Sequence, residues 1–367
     1  MQKDFAAQAR NHRNAYLLKT EAAFAANSSS WISGFAEHFQ SVCALIKKTQ
    51  DESALSPVSY LEYTMLYTNF ANRRYVSEVR VYGDQSYLDK NQRIVGEYDI
   101  SFLFEHFDRL WYELTALKQS YLGKISVRDV TAFMLQVLPD FYAYLASIAR
   151  YAVAECAENK PFADIDKNDT FMVNVGDYMA ATENVFIETK NKDTAEIIEW
   201  FHEKHEYEYM AGDYSGLDFS RLSFQNANFC RSQFRGSDLS HSSLEGSSFI
   251  KSNFRNANME KACLDGCSIH EADFSNAILK NASFINANAR AGCAGADEEE
   301  WKSAGFLPAI FRNADLAGAD FTDAVLCGAD FTGANLTGVN FSGAVLTDSI
   351  FTNAVGAESI SALDSNY

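Results

Sequence analysis

The sequence predicts an α plus β-solenoid protein, with a mainly α-helical domain over residues 1–210 followed by a coiled β wall over residues 211–356. Two observations carry this. A large apolar residue recurs every five positions at Phe219, Phe224, Phe229, Phe234, Leu239, Leu244, Phe249, Phe254, Met259, Leu264, Ile269, Phe274, Leu279 and Phe284, and again from Phe311 through Phe321, Phe331 and Phe341 to Phe351. Before Met210 the apolar spacing is instead three and four, as in Phe104, Phe107, Trp111 and Leu114, which is the spacing of one helix face.

Helices repeat at 3.6 residues and strands at 2, so sustained fives fit neither. A fixed internal period marks units that bury their apolar residue only by stacking on their neighbours. Five residues per side and four sides per turn make a square coil. The large residue points to the axis. The small one two positions earlier, such as Ala257, Ala262, Cys267 or Ala272, fills the gap beside it, and the Asp, Asn or Ser between them faces outward. The two runs amount to about 24 sides, or about six coils; at about 4.8 Å per stacked strand the rod is about 29 Å long. Its ends need covers. A last helix opened by Asp193 and Glu196, with Ile197, Trp200 and Phe201 as its packed side, is the expected N-terminal cap; the tail 357–367, with only Ile360 and Leu363 apolar, makes at most a modest one.

The segments Ala314-Asp315-Leu316-Ala317-Gly318, Ala329-Asp330-Phe331-Thr332-Gly333 and Ala334-Asn335-Leu336-Thr337-Gly338 resemble the pentapeptide-repeat family. The resemblance implies a right-handed quadrilateral β-helix for the C-terminal part. Its quinolone-resistance type implies a rod that mimics DNA and binds DNA gyrase or topoisomerase IV. Residues 1–210 resemble no named family.

Within residues 1–210, the first 27 favour a helix. Asn27 to Ser30 read as a stop and a cap for a second helix over about residues 31–48. Ser56-Pro57 reads as the start of a third, burying Leu61, Met65 and Leu66. Val79 and Val81 alternate with charges, which predicts a short strand over residues 74–82, paired with residues 171–175. Asp99 or Ser101 caps the helix of Phe104 to Tyr121, stopped by Gly123. A capping box from Ser126 to Asp129 opens another, which Pro139 kinks or restarts and which runs to about Glu158.

The chain has 367 residues, 47% of them hydrophobic, and a net charge of −18, which suits two soluble domains with their own cores. The apolar window 141–154 is broken by Arg150 and reads as too short to span a bilayer, and residues 1–13 lack the apolar stretch of a signal peptide. No membrane partner is expected. Seven scattered cysteines, Cys43, Cys156, Cys230, Cys263, Cys267, Cys293 and Cys327, have no metal spacing and read as filler in a reducing cytoplasm. The acidic surplus argues against direct nucleic-acid binding. It is uneven: from Ala291 onward only Lys302 and Arg312 oppose eleven carboxylates, whereas residues 214–290 are nearly balanced. A half-rod this acidic is expected to attract a basic partner.

Asp164, Asp166 and Asn168 imitate the first positions of a calcium loop, but the sixth is Asp169 and the twelfth Val175, so a polar linker is expected. Glu199, His202, Glu203, His205 and Glu206 lack zinc-protease spacing and read as surface. With no phosphate loop, nucleophile elbow or Cys–His pair, no catalytic residue, metal or cofactor is expected. The step of 22 from Ala289 to Phe311 is not a multiple of five, so an insertion at 290–310 leaves the wall and returns. It carries Asp297, Glu298, Glu299, Glu300, Trp301 and Phe306. These residues form either a bulge whose Trp301 and Phe306 tuck back onto the rod or a partner-binding projection. The functional expectation is a non-catalytic cytoplasmic scaffold or adaptor that offers an acidic β-helix face to a protein partner of unknown identity. The alternatives are a DNA-mimic modulator of gyrase or topoisomerase IV and a secreted host-directed effector.

Overall fold

Leucine, alanine, lysine and glutamine favour helix, and in the computed structural model the chain opens with one unbroken helix, α1 (Gln2–Asp51). The structure describes residues 2–52, 54–83, 92–178, 182–203, 209–290 and 307–356. The stop expected at Asn27 to Ser30 does not occur. Asn27 Nδ2 donates back to the Ala23 carbonyl at 2.8 Å and Ser33 Oγ to that of Ser29 at 3.0 Å, so these polar side chains are satisfied without leaving the helix. Packing decides the rest: Phe24 lies 4.9 Å from Tyr144 and Phe35 4.7 Å from Tyr63, both fully buried on either side of the expected break.

The helix expected after Pro57 is a strand, β1 (Val58–Met65). Val-Ser-Tyr-Leu-Glu-Tyr-Thr-Met is rich in β-branched and aromatic residues, and Leu61, Tyr63 and Met65 alternate into the core. After the short α2 (Tyr67–Ala71) follow β2 (Val76–Tyr82) and β3 (Arg93–Asp99). Next come a 3₁₀ turn at Ser101–Leu103 and α3 (Glu105–Gln119). Then α4 (Val127–Cys156), α5 (Lys160–Ala163), β4 (Lys167–Asp177) and β5 (Thr182–Thr189) follow. The five strands form one sheet in the order β3-β2-β1-β4-β5. The strand expected around Val79 and Val81 is therefore present, but it does not pair with residues 171–175. β1 lies between them, antiparallel to β2 with Tyr63 opposite Val79, and parallel to β4 with Tyr63 opposite Val175. The calcium-like residues Asn168 and Asp169 lie within extended β4, with Asp164 and Asp166 just before it.

α4 begins at the expected capping box, with Ser126 Oγ accepting from the Asp129 N–H and Asp129 from the Ser126 N–H. Contrary to the reading of a short apolar window, α4 runs unbroken through Pro139 and is long and apolar enough to cross a membrane by length and composition. Its apolar surface is used internally: Phe141, Leu145, Ile148, Ala149, Ala152 and Val153 are fully buried, and the buried Arg150 pairs with Glu183.

The chain divides into two compact units, Met1–Phe186 and Ile187–Tyr367. In the second, α6 (Thr194–His202) is capped by Asp193, whose carboxylate accepts from the N–H groups of Ala195 and Glu196. The wall that follows is a β-solenoid. Residues twenty apart form parallel bridges in four ladders, beginning at Asp213, Asp218, Ser223 and Asn228. Every large residue from Phe229 through Phe331 on the five-residue period is at most 1% exposed, and the small residues beside them are buried as well. Phenylalanines of one ladder stack down the axis from Phe234 through Phe254, Phe274, Phe311 and Phe331 to Phe351, with ring centroids 4.9–5.2 Å apart and planes within 7° of parallel. Phe201 of α6 closes the first end, 5.0 Å from Phe224, 5.4 Å from Phe229 and 5.6 Å from Phe219.

The corners have a requirement that the five-residue reading misses. Two positions after each large residue the backbone turns with positive φ, as at Asn226 (+56°), Asn276 (+58°) and Gly246 (+69°), which suits Asn, Asp and Gly. At four corners an Asn or Asp is followed one coil later by a Gly that leaves it room: Asn226 by Gly246, Asn281 by Gly318, Asn313 by Gly333 and Asp323 by Gly343. A methyl group on Gly343 would lie 2.0 Å from Asp323 Oδ1, and one on Gly333 2.3 Å from Asn313 Oδ1.

Candidate functional site

Four ladders make four faces, and each collects residues that are twenty apart in sequence. On the first face, carrying Asp213, Asp273 and Asp330, every carboxylate is buried against a cation. Lys192 Nζ lies 2.9 Å from Asp213, Arg255 3.1 Å from Asp273 and Arg312 2.6 Å from Asp330. The second face carries Asp218, Asp238, Glu260 and Asp315, but also Arg221, Lys261 and Lys280, the last 3.0 Å from Asp315. The fourth carries Arg231, Lys251 and Arg290 against Glu271 and Asp348.

The third face differs. Its residues, 222–226, 242–246, 262–266, 282–286, 319–323 and 339–343, include Glu245, Asp265, Asp320 and Asp323 and no lysine or arginine. Glu245 and Asp323 are exposed, Asp265 and Asp320 half-buried. Neutral donors hold two of these carboxylates, Asp265 and Asp320, in place. Asp265 Oδ1 accepts from Ser283 Oγ at 2.5 Å and from the Ile285 N–H at 3.0 Å. Asp320 Oδ1 accepts from Thr322 Oγ1, from the Thr322 N–H and, across one coil, from Asn340 Nδ2 at 3.1 Å. The Thr322 hydroxyl in particular, with its N–H and Asn340, holds the Asp320 carboxyl below the usual carboxylate range. Gln225 Nε2 reaches Ser243 Oγ at 2.9 Å and borders Glu245. The result is a fixed, one-signed strip spanning three coil steps, about 14 Å. With no lysine or arginine on the same face, the field of these carboxylates is not offset within it.

This alters where the acidity lies. The described acids of the second run fall on all four faces: Asp330 on the first, Asp315 on the second, Asp320 and Asp323 on the third, Asp348 on the fourth. Charge density along the chain therefore does not locate an acidic face, and half of the one that exists, Glu245 and Asp265, comes from the run that reads as balanced. Sorting residues into four columns of period twenty would have found it.

The expected partner-binding residues Asp297, Glu298, Glu299, Glu300, Trp301 and Phe306 lie outside the described residues. The roots of their insertion are described. Asp273 bridges to Ile310, 37 rather than 20 residues on, so the ladder continues in register across 17 additional residues of sequence. Phe274 N still donates to the Ile310 carbonyl at 2.7 Å. The exit lies at the corner between the fourth and first faces, away from the third. Of the His and Glu group on the last helix, His205 and Glu206 lie outside the described residues and α6 ends at His202. Among the described residues no group of three or more His, Cys, Asp or Glu side chains is placed to hold a metal ion. Cys267 is buried at a small-residue position, where burial pushes its thiol up to about 12.

A model of pentapeptide repeats matches in eight copies, over residues 215–249, 232–270, 267–291 and 309–354, and no family model matches the N-terminal part. Among solved structures the chain is similar to a pentapeptide-repeat protein of the Arabidopsis thaliana thylakoid lumen, with 25% identity over 31% of this chain and 68% of that one and a TM-score of 0.25. It is also similar to full-length QnrB1, a plasmid-mediated fluoroquinolone resistance protein (17% identity, 42% and 97% covered, TM-score 0.20). A third is HetL, a pentapeptide-repeat protein involved in heterocyst differentiation regulation from Nostoc sp. strain PCC 7120 (18% identity, 45% and 95% covered, TM-score 0.14). No curated protein matches. The C-terminal part of this chain belongs to the pentapeptide-repeat family.

Proposed function

We propose that this is a non-catalytic cytoplasmic scaffold whose right-handed solenoid of about six coils offers its third face to a basic surface on a protein partner. The observation that carries the reading is the strip of Glu245, Asp265, Asp320 and Asp323 without a single lysine or arginine. The insertion with Asp297 to Glu300, Trp301 and Phe306 is proposed as a second, separate contact.

The test is a comparative pull-down with the full chain as bait. E245K/D265K/D323K should lose the partner, while D218K/D238K on the second face should keep it. Equal recovery by both would remove the third face from the account. Replacing Glu298 to Glu300 by Ser and Trp301 by Ala probes the insertion in the same way.

The same strip favours a second reading, mimicry of DNA toward gyrase or topoisomerase IV. It is the weaker of the two. DNA carries one charge per about 1.7 Å, so about 14 Å of duplex presents about eight charges, against four on this face. Unchanged supercoiling by gyrase at micromolar protein would eliminate it.

A further inference from the structure

In a chain of net charge −18, one end of the helical unit is basic and apolar at once. α3 ends with Lys118 in its last turn, the connection to α4 carries Leu122 and Lys124, and α4 itself opens with Val127 and Arg128. The first turn of α1, which carries Lys3, joins the same end, because Tyr121 donates to Asp4 Oδ2 at 2.8 Å and packs edge-on against Phe5 at 5.5 Å. The two carboxylates at this end are both engaged locally, Asp4 by Tyr121 and Asp129 by the Ser126 hydroxyl and N–H. Four cations therefore face two hydrogen-bonded acids.

Leu122 is 89% exposed and Val127 62% exposed. Leu122 also sits at φ +51°, a left-handed conformation that is unfavourable for a bulky side chain. No burial of its side chain offsets that strain. The turn presenting it is firmly held: Tyr121 and Ile125 on either side are buried, the Lys124 N–H donates to the Tyr121 carbonyl at 3.0 Å, and the capping box begins at Ser126.

We propose that this end of the helical unit docks peripherally on an anionic lipid surface, with Leu122 and Val127 entering the headgroup layer and Lys3, Lys118, Lys124 and Arg128 engaging lipid phosphates and carboxylates. A protein partner would need an extended complementary patch. A single projecting leucine ringed by long flexible cations fits a fluid surface, which shapes itself around the contact. The contact is weak and mostly electrostatic, since one leucine buries far less than the acyl chain that by itself gives only marginal binding. It replaces the expectation of no membrane contact with a reversible one that crosses nothing.

The test uses the full chain in flotation with vesicles of phosphatidylcholine alone or with about 30% phosphatidylserine. Binding is expected only to the anionic vesicles and should be lost as salt rises from about 0.1 to 1 M, where the screening length falls from about 10 to about 3 Å. K124E/R128E should lower partitioning about twenty-five-fold or more, at roughly fivefold per cation. L122N should also weaken it while melting no lower than the parent, because Asn tolerates positive φ. The proposal is overturned by equal binding to neutral vesicles, by no binding at all, or by variants that bind like the parent. It is also overturned if soluble poly-glutamate is captured with the same dependence on Lys124 and Arg128, which would assign the end to an acidic protein.

Discussion

Replacing Phe274 by Ala tests whether the solenoid core is one column carried across the insertion. The ring is fully buried, stacked on Phe254 at 4.9 Å and on Phe311 at 5.0 Å, with Phe284 edge-on at 5.9 Å. Phe311 is its neighbour in space although 37 residues away in sequence. Phe→Ala in a core costs about 3–5 kcal/mol, and each stacked pair is worth about 0.5–1.5 kcal/mol beyond its area. The upper part of the first range is expected, because ladder hydrogen bonds on both sides hold the coils at about 4.8 Å and stop the cavity from collapsing. Phe274→Leu should cost only about 1–2 kcal/mol, since Leu239, Leu264 and Leu279 fill equivalent buried positions on other faces. Phe351→Ala should be similarly mild because Phe351 is only partly buried. Denaturant unfolding would measure the differences and hydrogen exchange would place them. In a solenoid whose units contact only their neighbours, protection should fall around Phe254, Phe274 and Phe311 and persist in Met1–Phe186. A loss below about 1 kcal/mol, or equal deprotection of both units, would refute the continuous column.

Burial pushes the Cys43 and Cys267 thiols up to about 12, so neither should react with a disulfide reagent at pH 8 until denaturant is added. Cys267→Ser should change stability by less than about 0.5 kcal/mol, because Sγ of Cys267 reaches the Leu244 carbonyl as Oγ of Ser247 reaches that of Phe224. The folded pKa of Asp320 lies below its ordinary value of 3.8, so its contribution is complete above that value and lost as pH falls through the folded pKa. Unfolding midpoints of the parent and D320N should accordingly converge in acid, and a constant gap would contradict the hydrogen bonds assigned to Thr322 and Asn340. Ser126→Ala removes one half of the capping box of α4 and should lower stability by about 1 kcal/mol, measured by thermal melting; an unchanged midpoint would mean the cap is dispensable.

What this sequence determines by itself is the part of the fold built from local, periodic contacts. Phe219 to Phe351 each repeat the same environment, so spacing alone identifies the axis, the buried small residues and the departure of the chain after Ala289. Capping at Ser126 and Asp193 was legible for the same reason, since donor and acceptor lie within a turn of each other. Tertiary structure decided whatever depends on partners distant in sequence. Asn27 does not end α1, because Phe24 and Phe35 are held by Tyr144 and Tyr63. The segment after Pro57 became the central strand of a sheet because β2 and β4 were available to take its hydrogen bonds on both sides. The acidic face belongs with these. Glu245, Asp265, Asp320 and Asp323 are scattered along 79 residues of chain and become one surface only when coils of twenty, interrupted once by 17 residues, bring them into register. Charge acts through space rather than along the backbone, so the winding of the coil decides which charges act together.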